Sequence, residues 1–311
     1  MERNPEVYSS SACKGTTTAW RILENPYGQY CRILEECPVG IVLDYPGPDL
    51  ILDHLTLVYG IGPKTAQSLR KSGYDTLEKL TDHPKWGPAA REICGLIQKR
   101  NIQRLQRYGA REEELVGFFP RSDLVFLDLE TTGLSSIHPV FLVGVFYFEG
   151  EIPVIKQFLA RDFTEEKAML YAVEGLLNRF QVAISYNGRS FDLPYLKGRM
   201  RFHNLQWRDF PQQFDLLRQT RRYYKEDLPD FRLTTAGRRL LNEVRQDTIS
   251  GRDVPERYHM FMQTREATWI DEILLHNKED LLTMAGLVKV ITTRVRAIAN
   301  RKGKEFGKNV G

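Results

Sequence analysis

The stretch Leu124-Val125-Phe126-Leu127-Asp128-Leu129-Glu130-Thr131-Thr132-Gly133-Leu134 decides how this chain is read. Four apolar residues run into an acid-leucine-acid alternation and then a turn at Gly133. An apolar, β-rich run of this length reads as a buried strand. Alternate side chains of a strand share a face, so Asp128 and Glu130 project together at its end. Such a pair on a strand edge is commonly just solvated; buried side by side, the two charges repel unless a cation lies between them. Two more apolar runs follow at residues 140–148 and 153–159, then an amphipathic helix at about 165–180. A strand at 182–186, a helix at 193–202 and a mostly helical C-terminal third complete the pattern. That order predicts an α/β fold with a mixed sheet flanked by helices.

Two later segments carry more acids. Ser185-Tyr186-Asn187-Gly188-Arg189-Ser190-Phe191-Asp192 takes Asp192 past a glycine turn to the start of a helix, on the same expected sheet edge. Alone, Asp192 is explained as a helix cap. Leu274-Leu275-His276-Asn277-Lys278-Glu279-Asp280-Leu281-Leu282 reads as a helix in which His276 and Asp280, four apart, face the same way. Alone, that pair is an ordinary helix-face contact.

Upstream of the strands the character differs. Residues 1–48 are poorly periodic, with an extended pair expected near 30–34 and 40–43, and no role is assigned to them. Tyr45-Pro46-Gly47-Pro48 punctuates the chain, and residues 49–118 then read as short helices broken at Gly60, Gly62, Gly73 and Gly87. Tyr59-Gly60-Ile61-Gly62-Pro63-Lys64-Thr65-Ala66 lies between helical runs at 53–59 and 64–71. Its glycines permit a tight turn, Pro63 suits the first helical position, and the helix N-terminus beyond it favours a phosphate. Lys64 and Lys71 add charge. The segment resembles a helix-hairpin-helix motif, which implies DNA-backbone contacts from Gly60, Gly62, Lys64, Thr65 and Lys71. A packing hairpin or a protein-docking module is the alternative. Lys85-Trp86-Gly87-Pro88-Ala89-Ala90-Arg91 reads as a degenerate second copy. Arg111-Glu112-Glu113-Glu114 is a charged lead into an expected linker, Phe118-Phe119-Pro120-Arg121.

A chain of 311 residues holds about two domains at roughly 100–200 residues each. Its 42% hydrophobic content excludes a largely disordered protein. No apolar run is long enough to span a membrane, and no apolar leader opens the chain. Cys13, Cys31, Cys37 and Cys94 form no CxxC pair, so reduced thiols and a cytoplasmic location are expected and zinc is not. The net charge of +4 hides two basic segments. Residues 60–111 carry 11 Lys/Arg against 4 Asp/Glu and residues 289–311 carry 7 against 1, leaving the rest acidic. Such a distribution points to a polyanionic partner, with no membrane role. Within 197–225, eight Lys/Arg interleave with Trp207, Tyr223 and Tyr224, which reads as a strand-stacking surface or, equally, as aromatics belonging to a core.

Taken in order, the three acidic motifs resemble the DEDD exonuclease superfamily on a ribonuclease-H-like fold, and within it the YprB-type branch of predicted nucleases. The resemblance spans about residues 120–292. It includes Phe214-Asp215-Leu216-Leu217, Arg221-Arg222-Tyr223-Tyr224, Arg232-Leu233-Thr234-Thr235 and Ile249-Ser250-Gly251. The domains it implies are a helix-hairpin-helix module at 49–118, a nuclease domain at 119–298 and a basic tail at 299–311. It implies Asp128, Glu130, Asp192 and Asp280 as ligands of two Mg²⁺ or Mn²⁺ ions about 4 Å apart, with hard oxygen donors suited to both. Thr131, Thr132 and Leu134 would contact the terminal nucleotide, and Asn187 would lie beside the metal pocket. One departure stands out: the superfamily places a base His five residues, or a Tyr four residues, before the last Asp, whereas His276 is a His at the four-residue spacing. Two roles are open to His276, general base or orienter of a ligand. The implied activity is 3′→5′ exonucleolytic hydrolysis, with DNA favoured over RNA. A structure-specific endonuclease, a ribonuclease, or a catalytically silent DNA-binding adaptor are the alternatives.

Overall fold

In a computed structural model of the protein, residues 20–36 and 43–307 are described. Seven strands make one mixed sheet: β1 (Trp20–Asn25), β2 (Gly28–Glu36), β3 (Leu124–Thr131), β4 (Val140–Glu149), β5 (Ile152–Leu159), β6 (Val182–Ser185) and β7 (Gln212–Asp215), in the order β1-β2-β5-β4-β3-β6-β7. Strand β3 is antiparallel to β4 and parallel to β6, which is parallel to β7. The carboxyl ends of β3, β6 and β7 therefore share one sheet edge, the side on which open α/β sheets place ligands.

The N-terminal strands correct the sequence expectation. The pair is β1 with β2, closed around Pro26 and Tyr27 with Gly28 at φ +122°, and β2 goes on to pair with β5. Of the partner expected at 40–43, residues 40–42 lie outside the described residues and Leu43 is not in a strand. Residues 20–36 thus widen the sheet that begins again nearly a hundred residues later.

Eleven α-helices are defined among the described residues. The helical module carries α1 (Pro63–Lys71), α2 (Leu77–Leu80), α3 (Gly87–Gln98), α4 (Ile102–Arg107) and α5 (Glu112–Leu115). The rest are α6 (Glu166–Leu177), α7 (Asp192–Phe202), α8 (Leu216–Tyr223), α9 (Leu233–Ala236), α10 (Val254–Thr264) and α11 (Ala267–Gly307). At 41 residues, α11 is about 60 Å long, and it runs through the boundary expected at 298 without a break. None of the helices among the described residues is long and apolar enough to cross a membrane.

Strand alternation sorts β3 between two cores. Val125, Leu127 and Leu129 pack with Met169, Val173 and Leu196 of α6 and α7 on one face. Leu124 and Phe126 pack with Phe146, Phe214, Met284 and Val288 on the other, where α11 lies. Each such buried side chain contributes about 1.5–3 kcal/mol. Continuing the alternation, Asp128 and Glu130 fall on the α11 face. A register shift against β4 after Glu130 ends the regular pairing just where the acids stand, as bulges beside functional sites do.

The charged lead at 111–114, ahead of the linker expected at 118–121, is a clasp. Glu113, Glu114, Val116 and Phe118 are buried, because all three glutamates find partners. Glu112 accepts from the Asp215 backbone N–H at 3.0 Å and from Arg189 at 3.1 Å. Glu113 accepts from Arg222 at 3.0 Å and Tyr223 at 2.5 Å, and Glu114 holds His54 at 2.9 Å. The helical module, with Leu55, Leu77, Leu80 and Ile93 in its own core, is thereby fastened to β7 and α8.

Candidate functional site

Asp128 and Glu130 leave β3 toward α11, and two further elements bring acids to them. The turn after β6 holds Asn187 in the left-handed region at φ +70°. Asp215, at the end of β7, pins that turn by accepting from the Asn187 backbone N–H at 3.0 Å and from that of Leu217 at 3.1 Å. A Cβ at Gly188 would collide with Ser185 and crowd the Asp192 carboxylate, so glycine is required for the turn to close. Asp192 then opens α7 at 5% exposure, with the backbone N–H groups of Asp192 itself and of Leu129 in β3 near enough to favour its charged form. A donor from β3 puts Asp192 against the strand that carries the first two acids. Asp280 comes from α11.

The four carboxylates feel one another. Burial, then repulsion from Asp280, Glu130 and Asp192, raises Asp128 well above the ordinary carboxylate range, opposed by a hydrogen bond from Asn277. Burial, Asp280 and Asp192 raise Glu130, with Arg245 opposing. Burial raises Asp192 to about 7, with Asp215 and Asp280 adding repulsion. Acids so arranged suit hard divalent cations. Among the described residues no three acidic, His or Cys side chains stand grouped ready to hold an ion as they are; Asp280 is instead bonded by the guanidinium of Arg245.

Stability should report this repulsion. The raised groups keep protons in the folded protein that the unfolded chain releases above about pH 4. Their favourable contribution is complete below that pH and is lost as pH climbs through about 7 for Asp192. In EDTA, Tm is therefore expected to fall between about pH 5 and pH 8, and Mn²⁺ or Mg²⁺ to raise Tm most at the upper end. A thermal melt that stays flat or rises across that window in EDTA contradicts the cluster.

Asp128 is aimed by residues that are not themselves acids. Asn277, fully buried, donates from Nδ2 to Asp128 Oδ2 at 2.8 Å. Gln157 in turn donates from Nε2 to Asn277 Oδ1 at 2.9 Å and to the Leu274 carbonyl at 2.9 Å. Gly144 lies opposite both Asp128 and Gln157 across the sheet, and a Cβ there would run into the Asn277 amide. Adjacency of Asn277 to His276 was the available sequence signal for this device; Gln157 and Gly144 gave none.

His276, 6% exposed, places Nε2 3.9 Å from Asp280 Oδ2 and Nδ1 2.5 Å from Asp247 Oδ2. Thr131 ends β3 and Thr132 begins the loop after it. Thr131 Oγ1 donates to the Gly133 carbonyl at 2.8 Å, while Leu134 stands 91% exposed at the tip. Tyr195 donates to the carbonyls of Gly133 and His138 at 3.1 and 2.9 Å, and Arg199 to those of Ser136 and Ile137 at 3.1 and 3.2 Å. Asn187 is exposed beside Asp192's turn.

The hairpin residues lie on the helical module rather than at the acids. Gly60 is left-handed at φ +85°, and Gly62 caps α1, whose first residue is Pro63. The helix expected before it is a 3₁₀ turn, Leu55–Leu57. Lys64 and Lys71 are exposed, with Thr65 half-buried between them. The second copy differs in detail: a Cβ at Gly87 would strike the Thr81 carbonyl, so the start of α3 is packed inward.

The stacking surface expected at 197–225 is largely spent internally. Arg199 is buried on Glu166, with Nε donating to Oε1 at 2.7 Å, and Lys197 pairs with Asp209 at 2.8 Å. Arg222 and Tyr223 serve Glu113, and Tyr224 is core. In the C-terminal basic segment Arg294 and Arg296 pair with Asp227 and Asp44; side chains beyond 298 lie outside the described residues.

A family model described as the RNase H superfamily matches residues 125–292. No curated protein matches significantly. Among solved structures, 54% of the chain matches 24% of the family B DNA polymerase from the hyperthermophilic archaeon Pyrobaculum calidifontis, at 17% identity and TM-score 0.43. Likewise 52% of the chain matches 45% of E. coli ExoI, in the zinc-ion-bound form of its complex with ssDNA, at 18% identity and TM-score 0.32. The chain thus spans less than half the length of either.

Proposed function

The chain belongs to the RNase H superfamily, and from that membership and its acidic sheet edge we propose a divalent-metal-dependent nuclease, specifically a DEDD-type 3′→5′ exonuclease acting on DNA. One observation carries the reading: acids from three distant segments meet at this edge, where Asp192 and Asp280 both repel Asp128 and Glu130, and Asp280 repels Asp192 as well. A fold has no structural use for that arrangement, and an adaptor has no need of it. The YprB-type motifs and the polarity rest on sequence resemblance.

Asp128, Glu130, Asp192 and Asp280 would hold Mg²⁺ or Mn²⁺. Bound there, such ions supply Lewis acidity and a water of lowered pKa. The chain's own groups do the rest. Asn277 keeps the Asp128 carboxylate turned outward from the sheet edge. His276 takes the proton of the attacking water at Nε2. Thr131, Thr132 and Leu134 meet the terminal nucleotide, on a loop whose carbonyls Tyr195 and Arg199 already brace, so little ordering is needed on binding. The hairpin from Gly60 to Lys64 grips backbone phosphate at the start of α1.

Removing the cations of that hairpin should show in salt dependence. Lys64→Ala with Lys71→Ala is expected to weaken duplex binding and to lower the slope of log K against log salt by about 2, at roughly 0.9 per lost phosphate contact. Fluorescence anisotropy at several salt concentrations measures it, and an unchanged slope assigns the hairpin to packing or protein docking.

The function itself is tested with 5′-labelled single-stranded DNA, duplex DNA and RNA, each in Mg²⁺, Mn²⁺ or EDTA. A metal-dependent ladder shortening from the 3′ end is expected, strongest on DNA. Discrete internal products contradict the exonuclease and favour an endonuclease, while binding without cleavage of any substrate favours the adaptor.

A further inference from the structure

The segment from residue 242 to 253 has no regular structure, yet it is fixed against α11 at both ends. Glu243 accepts from Thr283 Oγ1 at 2.9 and 2.7 Å. Ile249 is buried among Phe141, Tyr258, Ile270 and Ile273. Between these anchors Asp247 faces His276, with side chains 4% and 7% exposed. Its Oδ2 stands 2.5 Å from His276 Nδ1. Arg245 brackets the same carboxylate, donating from Nε to Oδ1 at 2.8 Å and from Nη2 to Oδ2 at 2.7 Å, and reaches Asp280 with its third nitrogen.

We propose that Asp247 is a positioning residue that holds His276 with the proton on Nδ1 and the lone pair on Nε2, directed toward Asp280. Two groups approach Nδ1, Asp247 Oδ2 at 2.5 Å and Arg245 Nη2 at 3.4 Å, and the shorter contact is the one that sets the proton. A carboxylate flanked by a guanidinium is an acceptor only, so the ring nitrogen touching it must be the donor. In neutral imidazole the other nitrogen is then bare. That nitrogen is Nε2, which faces Asp280 at 3.9 Å, and a bare nitrogen on that side is what removal of a water proton requires. Arg245 fixes Asp247 in turn and also ties it to Asp280, so ring, acid and α11 form one unit. The inference rests on reading His276 as the base.

Asp247→Asn is the discriminating variant. Asp247 Oδ1 accepts from Arg245 Nε, and Oδ2 accepts from both Arg245 and His276. An amide therefore turns its NH₂ toward a guanidinium N–H whichever way it lies, and in one orientation also toward His276 Nδ1. In that orientation the ring loses its acceptor and the tautomer changes.

The experiment has a spectroscopic arm and a kinetic arm, both on the full chain. Imidazole ¹⁵N spectra of the metal-free protein, with His276→Gln identifying the signal among six histidines, are expected to show an Nδ1–H, bare-Nε2 ring that is lost in Asp247→Asn. An Nε2–H ring in the unsubstituted protein overturns the proposal by itself, so a variant that fails to fold does not shelter it. In the labelled-DNA assay, Asp247→Asn is expected to lower kcat about 10²–10⁴-fold with KM little changed. The double variant Asp247→Asn/His276→Gln should be no slower than His276→Gln alone. Losses that multiply overturn the proposal. Should the unsubstituted protein cleave nothing, the nuclease reading fails, and the ¹⁵N arm still decides what Asp247 does.

Discussion

Asp128→Ala is expected to abolish phosphodiester hydrolysis while leaving nucleic-acid binding intact or tighter. Asp128 is the acid that Asp280, Glu130 and Asp192 all press upon, so it sits at the centre of the charge that a divalent ion would neutralise. Losing a residue that only orients a ligand costs about 10–100-fold; losing the central ligand should cost roughly 10³-fold or more. Binding should survive, because the hairpin and the loop at Leu134 are untouched and one repelling charge is gone. For the same reason the metal-free variant should melt above the parent near pH 8, where that charge costs most. Residual cleavage by the product-ladder assay, metal-dependent and near the parent rate, would remove Asp128 from the metal site.

Gly144→Ala is expected to be far more damaging than its single methyl suggests. Gly144 lies in a central strand, opposite Asp128 and Gln157, where alanine is ordinarily tolerated. Here the added Cβ enters the space of the Asn277 amide, which has no exposed route out. Asn277 must leave Asp128, Gln157 or both, so a buried amide goes unpaired at about 1–3 kcal/mol while crowding costs a similar amount. Activity should fall about 10–100-fold through the misdirected Asp128 carboxylate. Asn277→Ala makes room for the methyl, so the double variant should be more stable than the sum of the two single losses predicts. Thermal melts of the three variants measure this, and a Gly144→Ala protein as stable and active as the parent would show that the Asp128–Asn277–Gln157 chain does not set the carboxylate.

What was legible in the sequence was local. The run into Asp128-Leu129-Glu130 declares a buried strand because apolar residues fill both faces until the acids begin, and the i,i+4 pair of His276 and Asp280 declares a shared helix face. The glycine turn before Asp192 was visible too, and Gly188's contact with Ser185 gives its physical reason. The missed features depend on partners distant in sequence. Glu112, Glu113 and Glu114 look like a solvated charge run, since nothing nearby tells that Arg189, Arg222, Tyr223 and His54 await them. Those same contacts occupy Arg222 and Tyr223, two of the side chains expected to face a nucleic-acid strand. Arg199 looks like surface until Glu166, from another helix, buries it. Asp247 lies in a polar stretch without periodicity, and only its place against α11 gives it meaning. For β1 and β2, the Pro26 and Gly28 turn signals were present, yet the extended pair was sought one strand too late.

The central claim is that Asp128, Glu130, Asp192 and Asp280 form one divalent-cation site, and titration calorimetry of Mn²⁺ into the metal-free protein tests it most directly. The account predicts saturable binding that is lost or greatly weakened in Asp128→Ala and in Asp192→Asn, while Lys64→Ala binds as the parent does. No binding heat in the parent, or equal binding by parent and Asp128→Ala, would contradict it.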